Sequence, residues 1–195
     1  VRCTGTNACS EALVYWPSDQ SFANFTCPDG ENQCTHIQAP NVFNANESNS
    51  WNRTQSFECM DDQQCTSSII NCPIQGNCLI NCTSSNSSVC AVSTINCPLH
   101  GQCRIVCNGR YACYGTKING PIDHILEVSC SDISACEKSL IHAENSSYFD
   151  LTIESNGSPY NAIGMSIWFP PRNETSKRSH IAAMGNGFNG LGGYK

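Results

Sequence analysis

The amino-acid sequence predicts an all-β fold: a parallel β-helix of about seven coils, each 23–25 residues long, stapled by local disulfides and followed by an extended C-terminal tail. Three observations carry this expectation. Cysteine pairs recur at a fixed period, apolar and polar residues alternate ahead of each pair, and helical patterning is almost absent.

The repeat is plainest in INCPLHGQCRIVCNGRYACYGTKI, residues 95–118, preceded by INCPIQGNCLINCTSSNSSVCAVSTI and followed by INGPIDHILEVSCSDISACEKSLI. Its anchor is a pair of cysteines about six residues apart: Cys3/Cys9, Cys27/Cys34, Cys59/Cys65, Cys82/Cys90, Cys107/Cys113 and Cys130/Cys136. First members are separated by 24, 32, 23, 25 and 23 residues, so one insertion of about eight residues falls around positions 42–50. A cysteine-free seventh copy fits at 149–163, where DLTIESNGSP lies over RIVCNGRYAC. Two or three short strands per repeat stack at about 4.8 Å, giving a rod of roughly 34 Å.

Within each coil the first strand precedes the first cysteine. Period-two alternation places Ala23, Phe25 and Cys27 inward, and likewise Cys78, Ile80 and Cys82, Cys103, Ile105 and Cys107, Leu126, Val128 and Cys130, and Phe149, Leu151 and Ile153. Asn24, Arg104, Glu127 and Asp150 face out. After the second cysteine a small hydroxyl residue recurs three positions on (Ser68, Ser93, Thr116, Ser139) and an aliphatic five on (Ile70, Ile95, Ile118, Ile141). Asn71, Asn96 and Asn119 then mark a bend, where stacked amides are placed to bond along the axis, and Pro73, Pro98 and Pro121 a turn.

So narrow a coil buries too little apolar area to stand alone. Disulfides are the supplement, and the pattern assigns them within coils. Every coil with the first cysteine of the main pair has the second, and the extra pairs Cys72/Cys78 and Cys97/Cys103 are replaced together by Gly120 and Leu126 in the next coil. Eight local bridges are expected, each contributing about 2 kcal/mol by the loop-entropy model. Zinc is not expected, because zinc sites favour closer cysteine spacing and His36, His100, His124, His142 and His180 keep no common repeat position. Asp29, Glu31, Asp61, Asp62, Asp132 and Glu154 read as a solvated edge rather than a calcium site, and no cofactor is expected.

An even count of 16 cysteines points to an oxidising, extracellular or cell-surface setting. Eight sequons agree: Asn24, Asn46, Asn52, Asn81, Asn86, Asn145, Asn156 and Asn173 are candidate carriers of N-glycans. No apolar run is long enough to span a bilayer, and the chain reads as processed or trimmed. Residues 1–169 carry a net charge of about −9 and residues 170–195 about +3, so nucleic acid is not an expected partner.

The pattern NCPxxGxCxIxC followed by C-x5-C resembles the cysteine-rich parallel β-helix repeats of secreted and surface glycoproteins of protists and algae, among them subunits of extracellular glycoprotein fibrils. The similarity covers about residues 1–165 and is clearest from Cys59 to Ile141. It implies an extracellular β-solenoid and assigns no catalytic residues. The fold is also similar to that of pectin-lyase-like proteins. A polysaccharide hydrolase of that kind needs clustered aspartates with His, Arg and Lys, of which Asp61-Asp62 and His100-Gly101 are only distant echoes, so enzyme activity is not expected.

Residues 1–165 are therefore expected to form the solenoid and residues 166–195 a Gly-rich, basic tail that leaves it. The leading expectation is a structural glycoprotein that polymerises head to tail into a glycan-coated fibril. The tail of one subunit would complete the open first coil of the next, with Val1, Trp168, Phe169, Ile181, Met184 and Phe188 at the contact. The alternative is a binding ectodomain for carbohydrate or a host partner, for which Trp16, Trp51, Tyr111 and Tyr148 supply exposed aromatics. A linker tail and a polysaccharide enzyme are the remaining readings.

Overall fold

The computed structural model describes residues 23–26, 54–60, 65–85, 88–154, 164–169 and 178–184. In these the chain forms β1 (Ala23–Thr26), β2 (Thr54–Cys59), β3 (Ile69–Asn71), β4 (Asn77–Thr83), β5 (Thr94–Asn96), β6 (Cys103–Asn108), β7 (Lys117–Asn119), β8 (Ile125–Ser131), β9 (Leu140–His142), β10 (Tyr148–Glu154), β11 (Ser166–Trp168) and β12 (Arg178–Met184). No helix occurs among the described residues.

The strands build two parallel sheets, one ordered β1-β2-β4-β6-β8-β10-β12 and the other β11-β9-β7-β5-β3. Neighbours in each sheet are one coil apart in sequence, which is the topology of a parallel β-solenoid. Register is repeat-perfect where the sequence aligns: Cys59, Cys82, Cys107 and Cys130 pair in succession, as do Ile70, Ile95, Ile118 and Ile141. Register of this kind is fixed because a one-residue slip would turn every apolar side chain to solvent.

The inward sets fall where alternation places them. Cys78, Ile80, Cys82, Cys103, Ile105, Cys107, Leu126, Val128, Cys130, Phe149, Leu151 and Ile153 are all buried. The outer positions of β6 and β8 carry Arg104 and Glu127, both exposed, 3.7 Å apart across neighbouring coils. Such a pair in water adds little stability. Tight turns close the coil on the Pro side, where Gly76 and Gly101 lie one above the other. A Cβ on Gly101 would stand 1.9 Å from the Gly76 carbonyl oxygen, so the close approach of consecutive turns requires glycine there.

The expected boundary at residue 165 is not a fold boundary. β11 pairs with β9 through Ser166↔Leu140, Ile167↔Ile141 and Trp168↔His142. β12 pairs with β10 from Tyr148↔Arg178 to Glu154↔Met184. The segment assigned to a departing tail thus supplies strands to both sheets, β11 closing the coil of the seventh sequence copy and β12 adding one strand beyond it. The coil of Cys3/Cys9 lies outside the described residues.

Candidate functional site

The interior is organised as columns of like side chains along the axis. Six bridges join Cys59–Cys65, Cys72–Cys78, Cys82–Cys90, Cys97–Cys103, Cys107–Cys113 and Cys130–Cys136, with Cα–Cα distances between 5.6 and 6.1 Å. All are local, as the co-occurrence of their members requires. Cys3, Cys9, Cys27 and Cys34 lie outside the described residues. In the next coil Gly120 and Leu126 replace the extra bridge by steric complement. A Cβ at Gly120 would lie 3.0 Å from Leu126 Cδ2 and 2.8 Å from the His142 carbonyl oxygen, so Leu126 fills the space a second cystine would take.

A feature the sequence did not announce sits at the second cysteine of each main pair. Cys65, Cys90, Cys113 and Cys136 have φ of 54°, 54°, 54° and 58°, and two residues further Ser67, Val92 and Lys138 have 55°, 55° and 58°, with Gly115 at 62°. Left-handed backbone costs a non-glycine residue about 1–2 kcal/mol. The corner is held by hydroxyls from the following coil: Ser93 Oγ donates to the Cys65 carbonyl at 2.5 Å, Thr116 Oγ1 to Cys90 at 2.7 Å and Ser139 Oγ to Cys113 at 2.7 Å. These hydroxyls are buried, so each bond also gives a desolvated hydroxyl its partner. The recurrent small hydroxyl residue three positions after the cysteine is thereby explained.

The bend asparagines form the ladder expected of them. Asn96 Nδ2 donates to Asn71 Oδ1, and Asn119 Nδ2 to Asn96 Oδ1, each at 2.6 Å. His142 and Trp168 continue this column, their rings stacked with centroids 5.5 Å apart.

The residues assigned to a subunit contact are engaged within the chain wherever they are described. Ile181 pairs with Leu151 and packs on the chain's own core, as does Phe169, whose ring meets Phe149 at 6.0 Å. Trp168 is half-exposed and rests on His142. Met184 is opposite Glu154 in β12. Within this chain β12 pairs with β10 and so continues its own molecule's sheet. Val1 and Phe188 lie outside the described residues.

Of the sequons, Asn81 occupies the outer face of β4, half-buried between Glu58 and Val106, and Asn145 is exposed in the turn before β10. Asn24 lies in β1 opposite Ser56. Asn46, Asn52, Asn86, Asn156 and Asn173 fall outside the described residues, as do Trp16, Trp51, Asp29, Glu31, Asp61, Asp62 and His36. Asp132 accepts the Ile133 backbone N–H at 2.7 Å, a local turn contact.

The histidines are more ordered along the axis than spacing indicated. His100 and His124 sit in consecutive coils with ring centroids 6.2 Å apart, edge to face. His180 Nδ1 lies 3.2 Å from Asp150 and His142 Nδ1 3.2 Å from Glu144. Among the described residues one set of three potential metal-ligating atoms converges, the sulfurs of Cys59, Cys65 and Cys90, and all three are oxidised in disulfides.

The fold and its columns define the class: a cysteine-rich, all-β parallel solenoid with local disulfides. Comparison with known proteins adds no family to this description, since no family model matches the chain and no curated protein or solved structure matches it. No helix of the described residues is long and apolar enough to cross a membrane.

Proposed function

We propose that the chain is an extracellular structural glycoprotein, a cystine-stapled rod whose copies associate end to end into a glycan-coated fibril. The observation that carries the reading is the axial periodicity itself. Cystines, buried hydroxyls and bend amides each stack from coil to coil, so the interior serves to extend a rod. The six bridges suit an oxidising compartment, and Asn81 and Asn145 lie where N-glycans would project from the rod.

Assembly follows from edges. A terminal strand of a parallel solenoid offers backbone groups to a further coil, and a head-to-tail contact that does not close a ring gives a filament. Among the described residues β11 and β12 end the two sheets, and their pairing repeats that of the interior. Because β12 belongs to its own rod, the joint is a stack of whole rods rather than a donated tail.

Electron microscopy of purified, non-reduced protein, compared with a chain truncated after Phe169, tests this. Uniform filaments from the full chain and separate rods from the truncation are expected. Separate rods from both would overturn the proposal, as would filaments of unchanged pitch from the truncated chain.

A further inference from the structure

One corner of the rod departs from the rest in chemistry while keeping the same backbone. At the Cys107–Cys113 coil, Tyr111 and Tyr114 meet edge to face with centroids 5.9 Å apart. The Arg110 guanidinium lies over the Tyr111 ring at 5.2 Å from its centroid, and the Lys138 ammonium lies 5.1 Å from that of Tyr114. Lys138 Nζ also donates to the Tyr114 hydroxyl at 2.6 Å, and reaches it from the next coil.

The repeat supplies its own control. Aligned on the bridged cysteines, Arg110, Tyr111 and Tyr114 correspond to Ile133, Ser134 and Glu137 in the following coil, and Tyr111 and Tyr114 to Ser88 and Ala91 in the preceding one. The fold accepts small or unrelated residues at these sites, so folding does not explain two tyrosines and an arginine. Tyr111 moreover holds φ of 60° while 36% exposed, a left-handed backbone that a bulky residue adopts at a cost.

Shape agrees with chemistry. Gly115 stands between Val92 of the preceding coil and Lys138 of the next, and a Cβ there would meet nothing within 4 Å, so the backbone next to Tyr114 is open to an approaching ligand. Val92, 62% exposed, lies on the apolar side of this opening. The Lys138 charge is secured by the Tyr114 hydrogen bond, which raises its pKa above the ordinary lysine value, aided to a lesser extent by Glu137. The Glu137 carboxylate, 3.9 Å from Lys138, has a largely covered side chain and is the acidic group at this corner among the described ion pairs.

We propose that the Arg110–Tyr111–Tyr114–Lys138 corner is a binding site for an acidic polysaccharide, with a sugar face packed on the tyrosine rings and its carboxylate or sulfate held between the two cations. Sugar C–H groups pack on aromatic faces, and a cation already held over a ring loses little freedom on meeting an anion. Arg110 offers a planar fork to a carboxylate or sulfate and Lys138 a point charge one coil further along. Coil spacing of about 4.8 Å is close to the length of one hexose unit, so successive coils match successive sugars. The site is independent of filament formation, since it lies on the side of the rod.

The test is titration of the full glycoprotein with polygalacturonate, heparin and neutral dextran, using wild type, the double variant Arg110→Ile/Tyr111→Ser and the single variant Lys138→Gly. The first variant installs the residues of the neighbouring coil. The second relieves left-handed backbone, so a loss it causes is not a loss of folding. At least tenfold weaker binding of one polyanion in both variants is expected, and preference for polygalacturonate or for heparin tells uronate from sulfate. No binding of either polyanion by wild type, binding that both variants leave within twofold, or equal binding of dextran would overturn the proposal.

Discussion

The coils from Cys59 to Cys136 and those from Leu140 to Met184 share two continuous sheets but are held together differently. The first region fills its narrow section with six bridges and thin aliphatic side chains such as Ile80, Ile105 and Val128. In the second, the described residues contain no cysteine, and the section holds Phe149, Leu151, Met165 and Ile167, with Phe169 and Ile181 against them. Covalent closure and aromatic bulk are thus alternative solutions to one shortage of buried area. Gly120 and Leu126 show the exchange in a single coil, where a leucine against a glycine takes the place of a cystine.

The largest expected effect separates the two regions by chemistry. Six bridges at about 2 kcal/mol each are comparable to the 5–15 kcal/mol net stability of a typical domain, so reduction should unfold the protein at room temperature. Circular dichroism should then lose its strand signal and its cooperative melt. A reduced protein that keeps both would show that packing alone suffices.

Phe149→Ala attacks the other region. Removing this fully buried ring should cost about 3–5 kcal/mol. Hydrogen exchange should show the loss first in residues 140–184, with residues 59–136 keeping protection while oxidised. Uniform loss along the rod would mean that the two regions unfold as one.

Smaller effects probe the corner. Thr116→Val keeps shape but leaves the Cys90 carbonyl without its buried donor, and should lower stability by about 1–2 kcal/mol in denaturant titration. Val92→Gly has the opposite sign. It relieves a β-branched residue at φ of 55° and, after the entropic cost of glycine, should raise stability by up to about 1 kcal/mol. A loss on Val92→Gly would show that the exposed valine packs on something the corner geometry does not reveal.

The same contrast explains what could be read from the sequence. Inward positions, local bridges, the hydroxyl and isoleucine columns and the asparagine ladder were legible because cysteine fixes the phase of every copy from 59 to 136. The last coil was not, because β12 follows β10 by 30 residues instead of 23–25 and brings only Ile181 as a large apolar residue at an inward position. With the period stretched and no cysteine to mark it, residues 166–184 read as a tail. The left-handed corners were hidden for another reason: glycine is their usual signature, and Ser67, Val92 and Lys138 stand there instead. The His100–His124 contact was missed because, in turns of equal length, His124 stands one position later than His100 and so breaks the repeat alignment.

Each coil from Cys59 to Cys136 is closed by its own cystine, and the decisive measurement is disulfide mapping by mass spectrometry of the non-reduced, alkylated protein. The expected pairs are Cys59–Cys65, Cys72–Cys78, Cys82–Cys90, Cys97–Cys103, Cys107–Cys113 and Cys130–Cys136, with Cys3–Cys9 and Cys27–Cys34 completing the pattern. Bridges between coils, such as Cys59–Cys82 or Cys107–Cys130, which stand opposite one another in the sheet, would contradict it.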